Sequence, residues 1–325
     1  MTTDSVPKAI LYSTTRFNPH STNERADWFP GSVWASVPRL TAAEKGFTDN
    51  ELETRIVDLV KGENFSPAYL KINPKGTVPA LVVPYAHTVD EGISTKFKAL
   101  CSTEEICDFL DRSTTKSAQF SAPALSPATI QNADLQKEII ARVHGDEVDP
   151  NALLLVWRDE AERKAKAGGL PATFLRGRQE ALERYAREVS SNDAKLSEFY
   201  SNKLKENGGL LALLEGKGGD STEVQNKAKA LWRNVGETLA YLEAQLDVKA
   251  PFLLGDQVSL ADLHAGAWLA RILACAGATS ISDPDSALSA LDSNLSAPIG
   301  PKTKRWIGAL LERESFRQVY GEGLH

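Results

Sequence analysis

Cysteine and histidine are the side chains that most often carry nucleophilic, redox or metal chemistry, and this sequence has few of either. Its three cysteines, Cys101, Cys107 and Cys275, form no C-x-x-C pair. An odd number of cysteines without a secretory signal argues against a disulfide framework. The five histidines are not spaced like the ligands of a metal site. We therefore expect neither a disulfide scaffold nor a metal centre, and we interpret the cysteines as packing residues.

The segment NPKGTVPAL, residues 73–81, is a candidate recognition element. Pro79 stands where an apolar strand begins, although proline has no N–H to give to a sheet. A cis peptide bond between Val78 and Pro79 would reverse the chain there and would turn the N–H and C=O groups of Val78 outward as an open strand edge. An extended peptide could pair with such an edge through its main chain. A trans proline that leads an ordinary edge strand is the alternative.

The composition is that of a globular protein and excludes several classes of function. With 325 residues, 42% of them hydrophobic and 25% charged, the chain is long enough for two domains. The formal net charge is −6, and Lys and Arg are mixed with Asp and Glu, so we expect no nucleic-acid partner. No apolar run of about 18 residues occurs, so we expect a soluble, cytoplasmic protein without a membrane partner.

The elements that must position these residues change in character near residue 120. Before it, short β-like runs and helical segments follow one another in the order β-α-β and then β-β-α. The predicted strands are residues 9–13, 54–60, 79–83 and 96–101, and the predicted helices include 39–46 and 102–111. After a linker at 121–129 the pattern is helical. We therefore predict an α/β domain over residues 1–118 and an all-α domain over residues 119–325.

One helix start in the second domain can be predicted from adjacent residues. Ser259 and Asp262 stand three residues apart, so that each side chain can cap the backbone N–H of the other. Val258 and Leu263 flank this box as a hydrophobic staple. Such a box begins a buried helix and does no chemistry, so we assign no catalytic role to Asp262.

Three segments together resemble the glutathione S-transferase superfamily. NPKGTVPAL is similar to the family's NP-x-G-x-VP-x-L motif with its cis-proline, and CSTEEICDFLD at 101–111 is similar to the helix start that follows it. PFLLGDQVSLADLHAGAWLARI at 251–272 resembles the capped core helix of the family's helical domain. The resemblance implies a thioredoxin-like N-terminal domain and an all-helical C-terminal domain. The chain is longer than a usual member, with an insertion near 145–215, and in its length it resembles fungal members.

The resemblance also implies where glutathione binds. Val78 and Pro79 would pair with its cysteinyl unit through the main chain. Ser102 and Thr103, with Thr103 as the helix N-cap, would hold the γ-glutamyl carboxylate at a helix N-terminus. These two residues stand where the family usually has an acidic or amide residue followed by serine. Ser102 therefore lacks the charge that would pair with the γ-glutamyl ammonium.

The resemblance further implies a hydroxyl that activates the glutathione thiol. GSVWASVPRLTAAEKG at 31–46 is similar to the start of the family's first helix and puts Ser32 at the catalytic position, where its hydroxyl would stabilise the thiolate. Pro38 falls where an established helix needs an N–H. A later helix start, with Ser36 as N-cap and Pro38 in the first turn, makes Ser36 a second candidate. Tyr12 on the first strand is the third, because other branches of the family use a tyrosine there.

These features predict a glutathione transferase that directs the activated thiol at a hydrophobic, electrophilic small molecule. The reaction would be conjugation or glutathione-dependent isomerisation, in detoxification or secondary metabolism, with glutathione as co-substrate and a homodimer as the assembly. A non-catalytic member that binds a ligand or a protein is the alternative. The insertion near 145–215 follows the helix that lines the acceptor pocket in this family. We expect it to cover or enlarge that pocket, with a peripheral decoration as the alternative.

Overall fold

A computed structural model describes residues 9–14, 31–84, 97–113, 122–189 and 193–324 of the chain. A small sheet with three helices forms the N-terminal part, and helices alone form the C-terminal part. This is the predicted architecture, a thioredoxin-like α/β fold followed by an all-helical domain. None of the helices in these ranges combines the length and the apolar character that a bilayer span requires.

The sheet has four strands, in the spatial order β2-β1-β3-β4. The strands are β1 (Ala9–Ser13), β2 (Leu52–Ile56), β3 (Ala80–Pro84) and β4 (Phe97–Leu100). β1 pairs in parallel with β2 and antiparallel with β3, which pairs antiparallel with β4. The mixed directions follow from the chain order, because a helix connects β1 to β2 whereas β3 and β4 are consecutive.

Helices α1 (Val33–Lys45) and α3 (Thr103–Arg112) pack on one face of this sheet, and the short α2 (Pro67–Leu70) precedes β3. The core between them is aliphatic and includes Leu11, Leu81, Leu100, Ile106 and Leu110. Burying this set removes apolar surface from water and holds α3 against the sheet. The start of α3 therefore lies at a fixed distance from the end of β4.

The second strand ends earlier than the sequence predicts. The predicted strand covers residues 54–60, whereas β2 ends at Ile56. The reason is a turn built by Asp58, whose carboxylate accepts hydrogen bonds from the backbone N–H groups of Val60 (3.0 Å) and Lys61 (2.9 Å). Such local side-chain bonds compete with the strand ladder. The loop that follows is one wall of the site described below.

The C-terminal part is a set of helices around α10. In chain order they are α4 (Ile130–Val143), α5 (Pro150–Leu155), α6 (Glu160–Ala167), α7 (Leu170–Glu188), α8 (Ala194–Leu214), α9 (Thr222–Gln245), α10 (Leu260–Cys275), α11 (Pro284–Asp292), α12 (Pro301–Leu311) and α13 (Glu314–Tyr320). Every residue of α10 from Leu260 to Leu273 is buried. A helix that is buried on every side is expected at the centre of a helical domain.

The predicted capping box at the start of α10 is confirmed. Ser259 Oγ accepts from the N–H of Asp262 at 3.4 Å, and Asp262 Oδ2 accepts from the N–H of Ser259 at 2.9 Å. The other carboxylate oxygen of Asp262 accepts from Leu253 N at 2.9 Å and from Trp306 Nε1 at 2.8 Å. One buried carboxylate thus joins the start of α10 to the preceding loop and to α12.

Helices α7 and α8 pack on each other and against the loop after β2. The hydroxyl of Tyr200 donates to the carbonyl of Phe65 at 2.6 Å. Glycine permits the close approach at two points: a Cβ at Gly62 would collide with Ala181, and a Cβ at Gly177 would collide with the carbonyl oxygen of Val60. The segment 145–215 therefore lies directly against the N-terminal part of the chain.

The contact at Gly177 predicts an unusual effect of alanine in a helix. Gly177→Ala should lower the free energy of unfolding by about 1–3 kcal/mol, because the new methyl group forces α7 away from the backbone of Val60. Gly209→Ala in α8 is the control, because its Cβ would meet no atom within 4 Å. This change should stabilise the protein by about 0.5–1 kcal/mol through helix propensity. Urea denaturation measures both, and a gain of stability in both variants would contradict the close approach.

Candidate functional site

A cavity of about 250 Å³ lies between the sheet domain and helices α5, α7 and α10. Its N-terminal wall comes from the start of α1, the loop after β2 and the turn before β3. Its C-terminal wall comes from the three helices. The described lining residues are Gly31, Ser32, Trp34, Leu59, Asn64, Phe65, Gly76, Thr77, Val78, Asn151, Leu154, Leu155, Phe174, Arg178 and Arg271.

Ser32 lies in this wall as the N-cap of α1. Its Oγ accepts a hydrogen bond from Ala35 N at 3.3 Å and donates to the carbonyl oxygen of Val78 at 3.5 Å. Its own N–H donates to Thr14 Oγ1 at 2.8 Å. The hydroxyl therefore stands at the positive end of a helix, next to the main chain of Val78. The helix N-terminus favours a negative charge at this point.

The alternative start of α1, with Ser36 as the N-cap, is wrong. The helix begins at Val33, and Ser36 is buried inside it, where its hydroxyl donates to the carbonyl of Ser32 at 3.1 Å. Pro38 lies within the helix and gives no N–H to the carbonyl of Trp34. The hydroxyl of Thr103 donates to that carbonyl instead, at 3.5 Å. A donor from α3 thus makes the proline tolerable inside α1.

The peptide bond between Val78 and Pro79 is cis, as predicted. The turn before it is fixed by Asn73, whose Nδ2 donates to the carbonyl of Thr77 at 2.7 Å, and by the hydroxyl of Tyr69, which donates to the same carbonyl at 2.8 Å. Val78 itself lines the cavity, and within the described part of the chain its N–H has no hydrogen-bond partner. This main chain is rigidly placed and able to pair with a ligand.

The start of α3 differs from the prediction by one residue. The N-cap is Ser102, which is exposed and makes no side-chain capping bond, whereas Thr103 is buried as the first helical residue. Because the hydroxyl of Thr103 faces the carbonyl of Trp34, it contributes to packing between α1 and α3. Neither residue lines the cavity. The uncapped N–H groups at the start of α3 remain able to bind an anion.

Tyr12 lies on β1, outside the cavity wall. Its hydroxyl accepts from Arg55 Nη1 at 3.3 Å, and its ring meets the ring of Tyr69 edge-on at 5.8 Å. Ser32 is therefore the one of the three candidate hydroxyls that the structure brings to the cavity and to Val78.

The three cysteines are free thiols, and none lines the cavity. Burial raises the pKa of Cys101 and raises that of Cys107 to about 12, which disfavours the reactive thiolate. The Sγ of Cys101 donates to the carbonyl of Ile72 at 3.5 Å. Across the described ranges, no group of three His, Cys, Asp or Glu side chains is placed to hold a metal ion.

Two lining residues with strong chemical character, Arg178 and Arg271, are absent from the sequence-based predictions. Arg271 is 3% exposed, and its Nη2 donates to the carbonyl of Gly31. Arg178 lies over the rings of Phe65 (4.9 Å) and Phe174 (5.8 Å). Arg271 has a sequence signal, since it is the only cation in the apolar run LADLHAGAWLARILAC. Arg178 has no such signal in the sequence, because α7 is amphipathic and carries several other cations from which Arg178 does not stand out.

Trp34, also in the wall, packs against a pair of histidines, of which His264 is buried and His144 is half-buried. Its ring stacks on that of His144 at a centroid distance of 3.7 Å, and His144 Nε2 lies 2.8 Å from His264 Nδ1. His264 is 0% exposed, and its Nε2 has no hydrogen-bond partner among the described residues. Burial lowers the pKa of His144 to about 4 and that of His264 well below its ordinary value. The pair is therefore neutral at neutral pH.

Both parts of the chain match models of one protein family. Residues 31–113 match the family model of the glutathione S-transferase N-terminal domain, and residues 165–314 match that of the C-terminal domain. Among solved structures, the chain is similar to the beta-etherase LigF from Sphingobium sp. strain SYK-6, at 20% identity and a TM-score of 0.55, covering 96% of this chain and 98% of that chain. It is also similar to glutathione transferase F7 from Populus trichocarpa, at 18% identity and a TM-score of 0.49, covering 96% and 97%.

The neutral histidine pair predicts a loss of stability in acid. An unfolded chain binds a proton at His144 below pH 6.5, whereas the folded protein binds it only near pH 4, so the free energy of unfolding should fall as the pH is lowered through this window. His144→Gln should reduce that loss by up to about 3 kcal/mol. Urea denaturation at a series of pH values measures it. Equal losses in the variant and the wild type would contradict the assignment.

Proposed function

The chain belongs to the glutathione S-transferase superfamily, and on that premise we propose that it activates the thiol of glutathione at Ser32 for attack on a hydrophobic, electrophilic small molecule. The reaction is conjugation, or an isomerisation that proceeds by reversible addition of glutathione. The observation that carries the proposal is the 3.5 Å distance between Ser32 Oγ and the carbonyl oxygen of Val78, in the wall of one cavity. The hydroxyl proposed to activate the thiol is thus adjacent to the main chain proposed to bind the peptide.

The main chain of Val78 is the binding partner that we propose for the cysteinyl unit of glutathione. Its N–H has no partner in the described residues, and its carbonyl accepts only the long bond from Ser32, so an extended peptide can form both main-chain hydrogen bonds there. The γ-glutamyl carboxylate then extends to the start of α3. The free N–H groups there and the exposed hydroxyl of Ser102 bind it, while the buried Thr103 packs α3 against α1.

Ser32 lowers the pKa of the bound thiol by donating its hydroxyl to the thiolate. A thiol with a pKa of about 8.5 is mostly protonated at neutral pH and is then a poor nucleophile. The 3.5 Å hydrogen bond to Val78 is weak, so the hydroxyl can turn to a better acceptor. The N-terminus of α1 adds a favourable field for the negative sulfur. The proton leaves to solvent, and the thiolate attacks the acceptor.

The other side of the cavity supports a hydrophobic acceptor. Leu154 and Leu155 from α5, Phe174 from α7 and Trp34 from α1 contribute apolar surface. An apolar ligand is stabilised there by the water that it displaces. Because α5 and α7 belong to the segment 145–215, we propose that this segment sets the choice of acceptor.

Replacing Ser32 by alanine tests the proposal. Ser32→Ala should raise the pKa of bound glutathione by a unit or more, which corresponds to about 1.4 kcal/mol of lost thiolate stabilisation per unit. The affinity for glutathione should change little, since the main-chain contacts remain. Turnover should fall at neutral pH and recover partly at alkaline pH. The ultraviolet absorbance of the thiolate, titrated against pH in the complex, measures the pKa.

Three variants control this experiment. Thr129→Ala removes a comparable N-cap, whose Oγ1 accepts from Asn132 N at 3.3 Å, away from the cavity, and should cost about 1 kcal/mol of stability without changing the thiol. Ser36→Ala and Tyr12→Phe should also leave the thiol pKa unchanged. A raised pKa in either of these, and not in Ser32→Ala, would assign the activation to that residue. If glutathione binds but no variant changes its pKa, the protein is a non-catalytic binder.

A further inference from the structure

Two positive charges lie in the cavity, and the described part of the chain gives them no anionic partner. Arg178 and Arg271 both line it, and no acidic side chain does so among the described residues. This is a local feature, because the chain as a whole has a formal net charge of −6. The cavity is therefore positive within an acidic protein.

The surroundings of the two guanidinium groups leave hydrogen-bonding capacity unused. Each Nε is buried, and no described residue forms a hydrogen bond with it. Glu206 influences Arg178 and Asp149 influences Arg271 only through space, and no hydrogen bond to a carboxylate contributes to either. Burial lowers the pKa of both groups, yet arginine keeps its proton in proteins. An unpaired buried charge costs stability, which an anionic ligand would restore.

The geometry of arginine selects the chemistry of that ligand. A guanidinium that lies over aromatic rings, as Arg178 lies over Phe65 and Phe174, keeps its N–H donors in its own plane. This planar fork matches a carboxylate, which accepts two parallel hydrogen bonds. The apolar walls around it require a hydrophobic body. On the basis of the glutathione chemistry proposed above, we propose that the acceptor is a hydrophobic carboxylic acid, whose carboxylate binds Arg178 and Arg271.

The position of the arginines favours the acceptor over glutathione as the source of the carboxylate. The residues assigned to glutathione, Ser32, Val78 and Ser102, all belong to the N-terminal part of the chain. Arg178 and Arg271 come from α7 and α10, on the same side as the apolar wall of the acceptor. A carboxylate on the acceptor would orient its electrophilic carbon toward the thiol at Ser32.

Benzoate and benzamide, which have nearly the same shape and differ in charge, test the proposal by calorimetry on the full chain. Benzoate should bind the wild type at least tenfold more tightly than benzamide, with or without glutathione. Arg178→Gln and Arg271→Gln should each remove most of this preference. Arg176→Gln is the matched control, because it removes one positive charge two residues away in α7, where Arg176 is exposed and paired with Glu215 at 2.7 Å.

Stability measurements separate binding from a structural role. Arg178→Gln should leave the melting temperature unchanged or higher in the absence of ligand, since it removes an unpaired charge. If Arg271→Gln does not fold, Arg178→Gln decides the question alone. Equal binding of benzoate and benzamide to the wild type overturns the proposal. An equal loss of benzoate binding in Arg178→Gln and Arg176→Gln also overturns it, because the effect is then one of net charge.

A second experiment tests whether the carboxylate that binds Arg178 belongs to the acceptor or to glutathione. Glutathione and γ-glutamylcysteine, which lacks the glycyl carboxylate, are titrated into the wild type and Arg178→Gln. A similar affinity ratio in both proteins supports the acceptor assignment. A tenfold loss for glutathione alone in the variant overturns it and assigns Arg178 to the glycyl carboxylate. Benzoate binding without glutathione is independent of thiol activation, so failure of the proposed function and failure of this inference give different results.

Discussion

The buried hydrogen bond from Arg271 to the carbonyl of Gly31 is the contact on which the geometry of the site depends. Arg271 lies near the end of α10, and α10 is held at its start by Asp262, whose carboxylate accepts hydrogen bonds from Leu253, Ser259 and Trp306. Gly31 directly precedes the N-cap of α1. A helix of the C-terminal part therefore positions the hydroxyl that faces Val78 in the N-terminal part. The candidate site exists only when both parts are folded against each other.

The proline inside α1 adds a second constraint of the same kind. Pro38 leaves the carbonyl of Trp34 without its helical donor, and the hydroxyl of Thr103 supplies one at 3.5 Å. A residue that the family resemblance assigns to the ligand thus also holds two helices together. The same bond keeps the backbone of Trp34 in place while its ring stacks on His144 at 3.7 Å. Trp34 thus links the wall of the cavity, the start of α3 and the histidine pair.

The features that sequence predicts correctly are those that adjacent residues determine. The capping box joins Ser259 and Asp262, which are three positions apart, and the strand at residues 9–13 is predicted from its own short apolar run. The early end of β2 is a local effect of Asp58, whereas further errors arise where a distant residue decides the outcome. A helix that starts at Ser32 conflicts with Pro38 unless Thr103 is known to reach it, and that contact joins residues 69 positions apart. Arg178 was missed for the same reason, because only the packing of α7 against the loop after β2 brings it to the cavity.

That packing also couples the shape of the cavity to the stability of the segment 145–215. The carbonyl of Phe65 accepts the hydrogen bond from the Tyr200 hydroxyl. Phe65 also lines the cavity, and its ring lies against the guanidinium of Arg178. With only a hydrogen atom at Gly177 facing the backbone of Val60, α7 cannot move toward the loop without collision. A shift of α7 in the other direction would separate Arg178 from the ring of Phe65 and widen the cavity. The position of α7 therefore determines three properties of the site: the place of the Arg178 charge, the width of the cavity and its apolar wall. All three depend on the direct contact between α7 and the loop after β2.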